Sequence, residues 1–132
     1  MNWYKTAQQF TGTGTLHYGP GDRVVLNIDP EITRYYRSFI PKSKRVNSPR
    51  YYPHITVVRS GREQVTSPEK WGEHEGELIS FEYSPEVNEG HTYYTIEAYS
   101  NRLEEIREEL GLSRMRSGFN CFHITIGNNK DV

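Results

Sequence analysis

A single cysteine, Cys121, among 132 residues leaves no partner for an internal disulfide and excludes cysteine-rich zinc sites. Such sparing use of thiols fits a reducing compartment, so a cytoplasmic location is expected. No stretch approaches the roughly 20 apolar residues of a membrane span. Met1-Asn2-Trp3-Tyr4-Lys5 opens without the apolar run of a signal peptide, and no membrane partner is expected. Charge of one sign is lacking too. Lys and Arg number 16 against 17 Asp and Glu, a net charge of -1, which argues against a protein that coats long nucleic acids. Apolar residues are sparse, at 34% with a mean hydropathy of -0.82, and those figures alone would leave disorder open. Ten Tyr, five Phe and two Trp argue against it, because these rings bury large areas despite their polar scores. At this length residues 1–132 read as a single domain with one small core.

Thr11 to Tyr18 alternates as a strand and ends in the turn Gly19-Pro20-Gly21-Asp22. Arg23 to Ile28 is a second strand, rich in β-branched residues. Asp29-Pro30 then opens a helix, Asp as N-cap and Pro at the first helical position. Ile32, Tyr35, Tyr36, Phe39 and Ile40 share one face of it, and Pro41 stops it. A basic loop leads to a strand over Tyr51 to Val58. Ser67-Pro68-Glu69 starts a short helix through Trp71. Glu77 to Tyr83 is a strand with Ile79, Phe81 and Tyr83 on one face, and 84–90 is a turn. Thr92 to Tyr99 is a strand, and Ser100 or Asn101 caps a helix over Arg102 to Leu110 with Leu103, Ile106 and Leu110 inward. Gly111 stands where a C-terminal cap needs glycine. A last strand covers Phe122 to Ile126.

The order strand, capped helix, basic loop, His-Ile-Thr strand occurs twice, over about 23–58 and 92–126. His54 falls 14 residues after Ile40, and His123 falls 13 after Leu110. This spacing reads as a duplicated unit with pseudo-two-fold symmetry.

On a strand, residues i and i+2 point to the same face. His54 and Thr56 therefore share a face, as do His123 and Thr125, while Ile55, Val57, Ile124 and Ile126 take the opposite, core-facing side. If the two strands lie side by side, two imidazoles and two hydroxyls converge. One His-x-Thr tripeptide carries little weight, since His and Thr on the wet side of a strand are ordinary. Two copies at equivalent places in a repeat, with matching apolar flanks, point to a site. That set suits phosphodiester cleavage. One imidazole takes a proton from the nucleophile, the other gives one to the leaving oxygen, and hydroxyls bind the non-bridging oxygens. No metal or other cofactor is required, and no HExxH or His-x-His spacing offers a metal site.

His54-Ile55-Thr56-Val57 and His123-Ile124-Thr125-Ile126 resemble the two H-x-T/S-x motifs of the 2H phosphoesterase superfamily. The resemblance implies His54 and His123 as the acid/base pair and Thr56 and Thr125 as phosphate-binding hydroxyls. It implies an α+β fold of two lobes, pseudo-two-fold antiparallel sheets flanked by helices, with the site in the cleft between them. Within the superfamily, Asn101 to Leu112 and the ending Cys121-Phe122-His123-Ile124-Thr125-Ile126-Gly127-Asn128 look most like the phage anti-CBASS enzymes. Those hydrolyse cyclic di- and trinucleotide signals of bacterial immunity, so the expected partner is a cyclic oligonucleotide, met in the cytoplasm of an infected host. An RNA-end 2′,3′-cyclic phosphodiesterase and a non-catalytic cyclic-nucleotide sponge remain as alternatives.

Arg114 and Arg116, close to the second motif, are candidate phosphate contacts, as more weakly are Lys42, Lys44, Arg45 and Arg50 before the first. Arginine and lysine in loops are commonly just solvated. Tyr18 and Trp71 are candidate base-stacking rings, with packing as their commoner use. Cys121 is expected to line the pocket without reacting, and His17, His74 and His91 to lie on the surface. Helix 102–110 is read as a solvated acidic face.

Overall fold

The computed structural model describes residues 10–130, so Met1-Asn2-Trp3-Tyr4-Lys5 lies outside the described residues. Among the described residues, seven strands and two α-helices follow in the order β1 (Phe10–Gly19), β2 (Arg23–Ile28), α1 (Pro30–Arg37), β3 (His54–Val58), β4 (Leu78–Tyr83), β5 (Asn88–Glu89), β6 (Tyr93–Tyr99), α2 (Asn101–Glu109) and β7 (Phe122–Asn128). Single 3-10 turns occur at Lys42–Lys44 and Pro68–Lys70. All strand pairings are antiparallel.

The class is α+β, as expected, but the sheet does not divide into two lobes. Its order is β4-β1-β2-β3-β7-β6-β5, and β4 also pairs with β6, closing a six-stranded barrel with β5 outside the ring. The reason lies in β4, which belongs to neither repeat. It pairs with β1 through six residue pairs and with β6 through Glu82–Tyr99 and Tyr83–Ala98. A two-lobed arrangement would leave those strand edges unpaired, and closure satisfies their backbone groups.

The helix ends follow the local rules. The Asp29 side chain accepts from the Glu31 N–H at 2.9 Å with Pro30 at the first position, and Ser100 accepts from the Leu103 N–H at 3.3 Å. Gly111 takes φ +84° after α2, and the Leu112 N–H returns to the Arg107 carbonyl at 3.0 Å, a Schellman closure that glycine accommodates without strain. Leu103, Ile106 and Leu110 are buried as expected. Helix α1 departs from expectation. It ends at Arg37, and Tyr35 and Phe39 lie exposed, edge-on to each other at 4.9 Å, while Thr33 and Tyr36 are buried. Eight residues are too few to bury a five-residue stripe against a curved sheet. The turn expected at 84–90 contains the two-residue strand β5.

One core cluster joins Leu16, Leu26, Ile28, Ile55, Ile79, Phe81, Ile96 and Ile124 with α2 and with Tyr36 of α1. Both motif strands carry a β-bulge at the same relative place. Val25 pairs with Thr56 but Val24 with Val58, so Val57 is the extra residue. Thr95 pairs with Thr125 but Tyr94 with Gly127, so Ile126 is extra. A bulge leaves backbone groups out of the ladder, and each helix sends an arginine across to the other repeat to satisfy one. Arg37 of α1 donates to the Ile126 carbonyl at 3.0 Å, and Arg107 of α2 donates to the Val57 carbonyl at 2.7 Å. The two motif strands thus match in their bulges and in the arginine clamps that hold them.

Beyond the second bulge the chain passes close to the basic loop. Asn47 and Asn128 exchange backbone hydrogen bonds at 2.7 and 3.1 Å. A Cβ on Gly127 would lie 2.4 Å from Val46 Cγ1 and 2.9 Å from the Asn47 carbonyl oxygen. Gly127→Ala is therefore expected to lose about 1–3 kcal/mol of stability in urea unfolding. A loss below about 0.5 kcal/mol would show that this approach is not tight.

Candidate active site

The site is built by register. Pro53 has no N–H for the ladder, so β3 starts at His54. Ile55 then pairs with Ile124 of β7. One step either way along the same antiparallel ladder sets His54 opposite Thr125 and Thr56 opposite His123. The two isoleucines are fully buried, while the four motif side chains stand on the opposite, solvent-accessible face. Opposed positions keep Cβ atoms about 4.5–5.5 Å apart and diagonal ones about 7–8 Å. Each histidine is thereby set against the other motif's threonine, with the two imidazoles on a diagonal that leaves room for a phosphate.

The flanking strands extend this into two rows. Asn27 of β2 pairs with His54, and Thr95 of β6 with Thr125, so one row reads Asn27–His54–Thr125–Thr95. The other reads Val25–Thr56–His123–Glu97. A pseudo-two-fold axis between β3 and β7 exchanges the histidines, and it exchanges Asn27 with Glu97.

His54 Nδ1 lies 2.7 Å from the Tyr52 carbonyl oxygen. A carbonyl only accepts, so Nδ1 carries the hydrogen and the neutral ring keeps its lone pair on Nε2. Burial pushes His54 below the usual imidazole range; the Tyr52 carbonyl partly reverses this and Arg23 adds to it. Burial also lowers His123, with Glu97 pulling it back up and Arg116 pushing it down. The His123 ring meets Phe119 edge-on at 5.7 Å, and its Nε2 lies 3.9 Å from Cys121 Sγ.

Compared with protein-family models, with curated proteins and with solved structures, the chain matches none.

Sequence reasoning brings His54, Thr56, His123 and Thr125 together, and the geometry agrees. Its secondary candidates divide. Arg116 stands 4.0 Å over the Phe119 ring and is felt by His123, so it reaches the site. Arg114 instead forms 3.0 Å ion pairs with Glu104 and Glu108, which hold it against α2. Tyr18 and Trp71 pack edge-on at 5.1 Å against the core cluster. Tyr18 has the parity of Leu16 on β1 and so belongs to the core face, opposite the motifs. In the basic loop Lys44 pairs with Glu89 and Arg50 lies 5.6 Å from the Tyr51 ring. Cys121 is buried beside His123.

His74 is not a simple surface residue. It lies 3.1 Å from Glu109 and 3.3 Å from both Glu77 and Arg102, in an ion-pair network on the α2 side. Helix α2 is also more than a solvated acidic face, since Arg107 is 2% exposed. Residues the sequence reading missed are Asn27, Glu97, Arg23 and Phe119. The alternation Thr95-Ile96-Glu97 puts the carboxylate on a polar face, but only the β6–β7 register sets it beside His123.

Proposed function

We propose that this chain is a phosphodiesterase of the 2H kind, acting on cyclic di- or trinucleotides with 3′–5′ bonds. The observation that carries the reading is the register that sets His54 and His123 diagonally on one face, each opposite the other motif's threonine. The narrower substrate class rests on the resemblance of segments 101–112 and 121–128 to the anti-CBASS enzymes. Arg23 and Arg116, one near each histidine, are the cations placed to draw in an anionic ligand. Phe119 offers an exposed ring beside His123 on which a base can stack.

The reaction balances without a further reagent in its first step. One histidine removes the proton of a ribose 2′-hydroxyl, and the 2′-oxygen attacks the adjacent phosphorus. The bond from phosphorus to the 5′-oxygen breaks, and the other histidine protonates that oxygen. A 2′,3′-cyclic phosphate results, which water can open with the roles reversed. The threonine hydroxyls donate to the non-bridging oxygens as charge builds there.

Incubation in EDTA with cyclic GMP-AMP, cyclic triadenylate and an RNA ending in a 2′,3′-cyclic phosphate tests the reading. Linear products from the cyclic substrates are expected, with none from a 2′-deoxy analogue. Opening of the RNA end alone would transfer the reading to RNA termini, and tight binding with intact ligand recovered would make the chain a sponge. Rate requires one neutral and one protonated imidazole. Both are shifted down, so kcat/KM is expected to peak below about pH 6.5, the ordinary imidazole value. A peak above pH 7.5 would oppose these directions.

A further inference from the structure

The pseudo-two-fold axis relates the two rows but not their outer residues: Val25 flanks Thr56 where Thr95 flanks Thr125, and the histidines are flanked by residues of different charge. Beside His54 on β2 stands Asn27, a neutral amide. Beside His123 on β6 stands Glu97, a carboxylate, at the equivalent position. The Tyr99 hydroxyl donates to Glu97 Oε1, which fixes the carboxylate on its strand. Among the described residues, His123 also has near it Arg116 and Phe119 from the preceding loop, Cys121, and Thr56 opposite on β3. Around His54 are Arg23 and Asn27 on β2, Thr125 opposite on β7, and the Tyr52 carbonyl.

We infer that Glu97 is a positioning residue that holds His123 as the proton donor, leaving His54 to accept the proton, so the duplicated motifs have unequal roles. His54 spends its Nδ1 hydrogen on the Tyr52 carbonyl and so presents a lone pair at Nε2, the state of a base. His123 has an anion in its own row, which favours the charged, proton-carrying ring. In the reaction, the 2′-hydroxyl proton goes to His54 and the 2′-oxygen bonds to phosphorus. The bond to the 5′-oxygen then breaks, and that oxygen receives the proton from His123.

This assignment rests on the phosphodiesterase reading, and its test keeps the two apart. Histidine titrations followed by NMR need no turnover. In Glu97→Gln the His123 midpoint is expected to fall by about 1 pH unit relative to wild type while His54 stays put, and Glu97→Asp is expected to keep most of the shift. In the assay, Glu97→Gln is expected to lose about tenfold in kcat near neutral pH with KM unchanged within about twofold. A substrate whose 5′-oxygen is replaced by sulfur leaves as thiolate and needs no acid, so it should restore cleavage to His123→Ala and not to His54→Ala. An unmoved His123 midpoint, or rescue of His54→Ala in place of His123→Ala, overturns the assignment. A wild-type protein that cleaves nothing, with His123 still tracking Glu97, overturns the phosphodiesterase reading and leaves the charge pairing standing.

Discussion

His54→Ala and His123→Ala are each expected to lower the rate of cyclic dinucleotide cleavage by about 10²–10⁴, the usual worth of a positioned proton-transfer group. Stability should change little, because both rings stand on the accessible face and neither belongs to the core cluster. The double variant should be scarcely slower than the worse single one, since the two groups serve one transfer and fail as a unit. Threonine variants are expected to be milder, as each removes one donor from a non-bridging oxygen. The measurement is single-turnover cleavage alongside a urea unfolding curve. A histidine variant within threefold of wild type would remove that residue from the chemistry.

The largest effect on stability is expected at Arg107. Its guanidinium is buried, pairs with Glu63, and donates to the carbonyls of Val57 and Ser113 at 2.7 and 2.8 Å. Removing the arginine alone strands a nearly buried carboxylate and leaves two carbonyls without their donor. Arg107→Ala should therefore cost about 3–5 kcal/mol. Replacing Arg107 by Met together with Glu63 by Leu should recover part of that loss, because the orphaned charge goes too. The pH dependence has a definite sign. Burial pushes Glu63 up, but its hydrogen bonds from Arg107 and from the Arg59 N–H outweigh this and hold it below the usual carboxylate range. The stability it contributes is whole above the unfolded glutamate value of about 4.3 and is lost as pH falls through the lower folded value. A urea midpoint for Arg107→Ala within about 1 kcal/mol of wild type would show that the clamp is not what holds the bulge.

What was legible in the sequence was local. Asp29-Pro30, Ser100 and Gly111 mark helix ends through contacts a few residues long. The alternation of His, Ile and Thr fixes which side chains face the core, whereas the side-by-side placement of the two motif strands comes from the long-range β3–β7 pairing. The hidden features depend on distant pairings. Nothing near Leu78 to Tyr83 tells that this strand joins β1 to β6 and closes a barrel. Arg107 reads as one more charge on an acidic helix until Val57, 50 residues earlier, is placed above it. Arg114 and Arg116 look alike in sequence, yet two glutamates of α2 draw one away while the other lies over Phe119 beside His123. Tyr18 looks available beside its turn, although strand parity assigns it to the core side.

Histidine NMR during titration with an uncleavable 2′-deoxy cyclic dinucleotide asks whether two chain segments 69 residues apart serve a single ligand. The rings of His54 and His123 should shift together along one saturation curve, while His17, His74 and His91 stay unmoved. A ligand that perturbs one motif histidine without the other, or perturbs them with different affinities, would contradict the account.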